Sequence, residues 1–379
     1  MRVLNVNTTI DLVSGGGTAE RTFQMSRSLV RAGVECDILI LDMGITSERL
    51  QALDGTRVFS LPVLLKRYYV PMISLRRLRD AVADVDIVHL MGHWTLMNAL
   101  IYIIARCSSK PYVVCPAGAL PIYGRSKLLK LVYNLVVGRR LVRKADGHVA
   151  IAATELPQFE DYGVSKHRIS LIPNGINAED FPKGDGESFR AEHGLGRDPF
   201  ILFVGRLNHI KGPDLLLRAF SEGRKAFPDH RLVFAGPDSG MLTGLKNTAV
   251  QLGVEERVHF VGYVGGRMKS EAYNAADLLA IPSRQEAMSI VALEAGAAGT
   301  PVLLTDRCGF DEVERIGGGR VVSASVEGLR DGLEHMLSDS DRLKAMGDKL
   351  RGVVRSRYTW DAAVERYLEL YRDILGSEK

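Results

Sequence analysis

The chain has 379 residues, 46% hydrophobic and 25% charged, with a formal net charge of +4. At roughly 100–200 residues per domain this length predicts two domains with room for two cores. It has no stretch of about 20 apolar residues, which excludes a spanning helix, and its N-terminus lacks the apolar run and small-residue cleavage site of a secretion signal.

The charge is uneven: residues 1–175 hold 22 Lys and Arg against 14 Asp and Glu, leaving 27 against 31 for the rest. A basic first half predicts an anionic partner on that side. The four cysteines, Cys36, Cys107, Cys115 and Cys308, have neither metal-like nor redox spacing. Scattered thiols of this kind predict a reduced, cytoplasmic setting.

The chain opens with "RVLNVNT", which reads as a buried strand, followed by the glycine loop "SGGGTAE". A helical pattern from Arg21 to Ala32 then ends at Gly33 and leads into the strand "ECDILIL". That is a βαβ unit, so a parallel sheet is expected. Further strands are predicted at "TRVFSL", "VDIVHL", "PYVVCPA", "GHVAIA" and "RISLIP". The segment "IPNGINAEDFPKGDGE" breaks the pattern with Pro173, Gly175, Pro182, Gly184 and Gly186, and reads as a connector. The βα rhythm then restarts with "FILFVGRL", "HRLVFAGP", "RVHFVGYV", "ADLLAIPS" and "TPVLLTD" as strands, and "YTWDAAVERYLELYRDIL" as a terminal helix. The expected fold is α/β, with two Rossmann-like domains facing across a cleft. Their boundaries fall at 1–175 and 176–359, with 360–379 returning to the first domain. In such sheets ligands bind at the carboxyl ends of the strands.

Three stretches carry polar chemistry there. "GRLNHIKG" places Arg206 and Lys211 on a loop after a strand, between Gly205 and Gly212. Two fixed cations suit a diphosphate, although solvated surface cations give the same pattern. "RQEAMSIVALEAG" places Glu286 in a loop and Glu294 inside a helix whose N-cap is expected near Ser289. The amides of Ala287, Met288, Ser289 and Ile290 would then favour a phosphate or a polar sugar, and the carboxylates would accept from hydroxyls. The bland alternatives are a helix-dipole role for Glu286 and a solvated helix face for Glu294. "IVHLMGHW" ends a first-domain strand with His89 and His93. Asp84 and Asp86 read as a helix-to-strand turn rather than a metal site.

Together, "GRLNHIKGPDLLLRAF", "ADLLAIPSRQEAMSIVALEAGAAGTPVL" and "SLIPNGIN" resemble retaining glycosyltransferases of the GT-B fold, and most of all family 4. The likeness spans essentially the whole chain and is stronger in the second domain. It implies that Arg206 and Lys211 hold the diphosphate of a nucleotide sugar, that Glu294 binds the ribose, and that Glu286 touches the transferred sugar. It also implies that Gly262 and Tyr263 lie near the base, and that Gly16 and Gly17, with Gly205, let backbone approach the donor. The terminal helix would cross back to the first domain. Where many relatives carry His or Arg, "VVCPAGAL" has Ala117, and His89 and His93 are the residues that would compensate at the reaction centre, His93 being preferred for its place beside Trp94 in a loop.

The expected enzyme is a retaining hexosyltransferase using a GDP- or UDP-linked sugar, with no metal or cofactor. Its acceptor would be a glycan or lipid-linked molecule of surface polysaccharide or lipopolysaccharide synthesis. A sugar phosphorylase of similar fold and a non-catalytic nucleotide-sugar or glycan binding subunit are the alternatives. Residues 123–144 and 64–80 interleave Lys and Arg with Leu, Val and Tyr, which predicts peripheral contact with an anionic membrane. That contact implies the inner face of the cell membrane as the place of work. No recognition motif accompanies the charge, so nucleic acid is not an expected partner.

Overall fold

A computed structural model describes residues 1–122 and 126–376, with the side chains of residues 12–14 outside that description. The chain divides into two compact units, Met1–Gly175 with Trp360–Lys379, and Ile176–Thr359.

The first unit contains β1 (Arg2–Val6), β2 (Glu35–Leu41), β3 (Thr56–Leu61), β4 (Val63–Leu65), β5 (Val70–Pro71), β6 (Ile87–Met91), β7 (Tyr112–Cys115), β8 (Gly147–Ala150) and β9 (Ile169–Leu171). Seven of these form one sheet in the order β3-β2-β1-β6-β7-β8-β9, while β4 and β5 pair separately. The pairings in the large sheet are parallel. Every residue of β6, β7 and β8 is buried. Such near-continuous apolar runs are what helices on both faces of a parallel sheet demand.

Strand order reverses between β1 and β6, so their carboxyl ends flank a crevice where such sheets bind ligands. After β1 comes the helix Leu12–Arg31, interrupted at Gly16 (φ 59, ψ −141). The sequence placed a loop over "SGGGTAE" and began the helix at Arg21. The chain instead turns helical earlier and breaks once, in a conformation open to glycine.

The helix Trp360–Gly376 buries Trp360, Tyr367 and Tyr371 in this unit. Buried Arg21 secures it: Nη2 donates to Tyr367 Oη (2.5 Å) and Ile172 O (3.0 Å), and Nη1 to Asn174 Oδ1 (2.6 Å).

The second unit contains β10 (Phe200–Val204), β11 (Arg231–Ala235), β12 (Val258–Gly262), β13 (Leu278–Ile281), β14 (Val302–Thr305) and β15 (Gly319–Val322). They form a parallel sheet in the order β12-β11-β10-β13-β14-β15. Here the reversal falls between β10 and β13. The helix Pro213–Gly223 follows β10 and buries Leu216, Leu217 and Phe220. Each such side chain contributes roughly 1.5–3 kcal/mol when fully buried, and Pro213 at its start suits a first turn that needs no amide donor.

Candidate functional site

The two loops that leave the switch point of the second unit are those that follow β10 and β13. They carry Arg206 and Lys211 on one side and Glu286 on the other. Lys211 Nζ lies 2.9 Å from Glu286 Oε1, both side chains being mostly buried. Ser283 Oγ donates to Glu286 Oε2 at 3.1 Å. The Glu286 amide donates to Arg307 O at 2.8 Å, so the loop after β14 holds the backbone that carries Glu286. The cation and the carboxylate that the sequence read separately are therefore one ion pair. Arg206 is exposed, and among the described residues its guanidinium makes no ion pair.

Two glycines let the loops approach this closely. A Cβ on Gly212 (φ +69) would stand 2.1 Å from Pro282 O, and one on Gly309 (φ +64) would stand 1.7 Å from Ala287 O. No side chain fits either contact.

The helix Ile290–Ala298 starts after Ser289, whose backbone is extended and whose side chain makes no capping bond. Ser289 Oγ is buried with no hydrogen-bond partner among the described residues. A buried hydroxyl without a partner at a helix N-terminus is suited to an anion or a sugar hydroxyl, while the Ser289 amide itself donates to Cys308 O at 3.2 Å. Ala287 and Ile290 are half-buried and Met288 is buried.

Glu294 is buried rather than on a solvated face. Tyr273 Oη donates to Glu294 Oε2 at 2.6 Å, and Lys269 Nζ lies 2.5 Å from the same oxygen. Burial, then the negative charge of Glu294, pushes the Tyr273 phenol well above its ordinary pKa. Both contacts fall on Oε2 rather than Oε1. The sequence reading missed Lys269 and Tyr273. Their signal was a spacing of four on the helix Gly266–Ala275, which puts both on one face.

Gly205 and Gly262 lie at the carboxyl edge of the same sheet. The Gly205 amide donates to Ala235 O (3.0 Å) and the Gly236 amide to Gly262 O (2.6 Å). Tyr263 follows on the outer side of the sheet, beyond β12, and is 61% exposed.

In the first unit, Gly16 is the helix break and Gly17 follows it. His93 lies just past β6 and is buried against Trp94, Tyr133 and Tyr162, with ring centroids 4.5–5.4 Å apart. Tyr162 Oη donates to Leu120 O (3.0 Å) and accepts from Asn134 Nδ2 (2.7 Å). Asn134 Oδ1 therefore accepts from His93 Nε2 at 3.1 Å, which fixes the tautomer. Burial, only partly offset by that bond, lowers the His93 pKa to about 4, so the ring is neutral. His89 is likewise buried beside Tyr371 Oη (2.6 Å), with its pKa lowered to about 3 by burial and by Arg21. Ala117 takes a left-handed backbone (φ 50), and the amide of Gly118 donates to buried Glu155. Asp86 Oδ2 accepts from the Arg2 amide at 2.7 Å and Asp84 closes the helix Leu75–Ala83, so both belong to a helix-to-strand turn.

Comparison with known proteins follows the two units. The family described as "Glycosyl transferases group 1" matches residues 185–353, and "Glycosyl transferase 4-like domain" matches residues 16–175. A D-inositol 3-phosphate glycosyltransferase of Nocardia farcinica is 36% identical over 244 residues, 62% of this chain. That match spans 54% of the relative, so the chain covers about half of that protein's length. D-inositol 3-phosphate glycosyltransferase 1 of Catenulispora acidiphila is 30% identical over 325 residues, 78% of this chain and 74% of the relative. Among solved structures, Anabaena Alr3699/HepE in complex with UDP superposes with a TM-score of 0.81 over 98% of this chain and 100% of that chain, at 17% identity.

Proposed function

The chain belongs to the group 1 glycosyltransferases, with two parallel-sheet α/β units of GT-B type, and from that premise we propose that it transfers a hexosyl group from a nucleotide sugar with retention of configuration. The observation that carries this reading is the pair of carboxylates at one sheet edge, Glu286 on Lys211 and Glu294 on Lys269 with Tyr273. Each carboxylate is oriented by a cation, so each can accept hydroxyls of a different sugar: Glu294 those of the ribose, Glu286 those of the hexose. Arg206, Lys211, the Ser289 hydroxyl and the N-terminus of the helix that follows it would hold the diphosphate, with Gly262 and Tyr263 at the base and Gly205 admitting the donor's approach.

The step we propose breaks the bond between the anomeric carbon and the diphosphate oxygen. The acceptor oxygen bonds to the same face of that carbon, and the acceptor's proton passes to the departing phosphate. Lys211 and Arg206 would stabilise the charge that grows on that phosphate. No metal or cofactor is assigned a part in this step. His93, neutral and buried, would shape the acceptor side rather than carry a proton.

For the acceptor we propose a lipid-linked molecule of surface-polysaccharide type. Leu128, Leu129, Leu131, Val132, Leu135 and Val136 are all exposed between Lys127 and Arg143, and Tyr123, Gly124 and Arg125 of the same segment lie outside the described residues. Leu64, Leu65, Met72 and Ile73 are exposed beside Lys66, Arg67, Arg76 and Arg77. Apolar side chains rimmed by cations suit the boundary of an anionic bilayer, and among the described residues no helix is long and apolar enough to cross one. The cytoplasmic face of the membrane is the proposed site of action. The names of the relatives favour a second reading, a polyol phosphate acceptor.

The test is release of nucleoside diphosphate from a panel of UDP-, GDP-, dTDP- and ADP-hexoses, with vesicles carrying a polyisoprenyl-phosphate-linked sugar or with inositol phosphate. Release stimulated by the vesicles supports the lipid-linked reading, and release stimulated only by inositol phosphate supports the second. No release with any donor contradicts both.

A further inference from the structure

The loops bearing Lys211 and Glu286 are joined by a second ion pair that neither role requires. Arg284 Nη1 donates to Asp214 Oδ1 at 2.8 Å and Nη2 to Asp214 Oδ2 at 2.7 Å. Asp214 lies in the first turn of the helix Pro213–Gly223, and Arg284 lies in the loop after β13. The same guanidinium donates to His209 O at 2.7 Å, and the Arg284 amide donates to Ile210 O at 2.7 Å. Four hydrogen bonds thus cross the switch point, all from Arg284.

A bidentate guanidinium–carboxylate pair fixes both distance and plane, which a lysine point charge cannot do. The side chains are 22% and 30% exposed, so water screens the pair less than it would a surface ion pair. Arg284 and Glu286 share one loop, and Lys211 and Asp214 flank Gly212 on the other. Any slip between the loops would separate Lys211 Nζ from Glu286 Oε1.

We propose that Asp214 and Arg284 form a clasp that positions Lys211 against Glu286. If the donor-site reading holds, on which this consequence rests, the clasp sets where the donor diphosphate meets its cation. Asp214 and Arg284 are positioning residues and touch no reacting atom.

The test reads Lys211 directly. Full-length protein is treated with limiting acetic anhydride, and mass spectrometry gives acetylation of Lys211 relative to Lys183, which is 61% exposed. Arg284→Gln is predicted to raise relative Lys211 labelling about fivefold and to weaken inorganic pyrophosphate binding about tenfold, the size of change typical for coupled neighbours. Arg284→Lys should fall between wild type and Arg284→Gln. The exchanged pair Asp214→Arg with Arg284→Asp should recover part of both effects, which a merely structural loss would not. If Arg284→Gln does not fold, Asp214→Asn, nearly isosteric, carries the same comparison. Unchanged Lys211 labelling in a folded variant overturns the proposal, whatever happens to binding. Raised labelling in a protein whose wild type binds no pyrophosphate or nucleoside diphosphate leaves the clasp standing and sinks the donor-site reading.

Discussion

Lys211 Nζ and Glu286 Oε1 stand 2.9 Å apart across the two loops that leave the central strands of the second sheet. A diphosphate that reaches Lys211 therefore meets a cation already held in place by a carboxylate, and gains from its fixed position. Replacing Lys211 by Met removes the charge and leaves Glu286, among the described residues, with the Ser283 hydroxyl. Nucleoside diphosphate affinity should fall about tenfold or more, the effect of losing one charge-assisted contact, and turnover should fall further. Calorimetric titration and initial rates, measured on the same variant, separate the two.

Tyr273 and Lys269 share one oxygen of Glu294. Tyr273→Phe removes a buried donor and leaves Lys269 in place, so it should cost about 1 kcal/mol of stability and weaken ribonucleotide binding only slightly. Lys269→Met leaves the buried carboxylate without its cation and should weaken both more strongly. Denaturant midpoints and binding constants for the two variants give the order.

Burial holds His93 neutral, with a pKa near 4, and His89 neutral, with a pKa near 3. The unfolded chain takes up those protons near pH 6.5. The folded pKa values are depressed, so this contribution to stability is complete above about pH 6.5 and is lost as pH falls toward 4. Between pH 7 and pH 5 each histidine should account for roughly 2 kcal/mol. His93→Asn keeps a polar group beside Asn134 and should flatten the pH dependence by about one histidine's share. Urea midpoints at the two pH values check this.

Leu135 is 83% and Leu128 74% exposed, and glutamate at either position buries no new charge. Leu128→Glu with Leu135→Glu should leave the melting temperature within about 2 °C, the usual outcome for surface changes. The same pair should abolish sedimentation with phosphatidylglycerol vesicles while sparing nucleotide binding. Undiminished sedimentation would remove the membrane contact from the account.

Much of this fold was legible because buried parallel strands and glycine-ended helices leave strong local patterns. β6, β7 and β13 read directly from apolar runs bounded by Gly, Pro and Asp. β15 was not read, because "GGGRVV" opens with three glycines that mask a four-residue strand. The helix beginning at Leu12 was missed because glycines normally end helices. At the candidate site, Arg206, Lys211 and Glu286 were visible as charges in glycine-rich or apolar loops, and Glu294 as the one charge in an otherwise apolar helix. What pairs with what was not visible. Lys269 sits 25 residues before Glu294 and Asp214 sits 70 before Arg284, and only strand order brings such positions together. The burial of His93 was equally hidden, since the residues that enclose it, Tyr133, Asn134 and Tyr162, come from later segments.

The most direct measurement is calorimetric titration of the wild type and of Glu294→Ala with UDP, GDP, ADP, CDP and dTDP. One ribonucleoside diphosphate should bind the wild type and bind Glu294→Ala at least tenfold more weakly, because a carboxylate oxygen that accepts a ribose hydroxyl has gone. Equal affinity in the two proteins, or no binding to the wild type, would contradict the donor site at its centre.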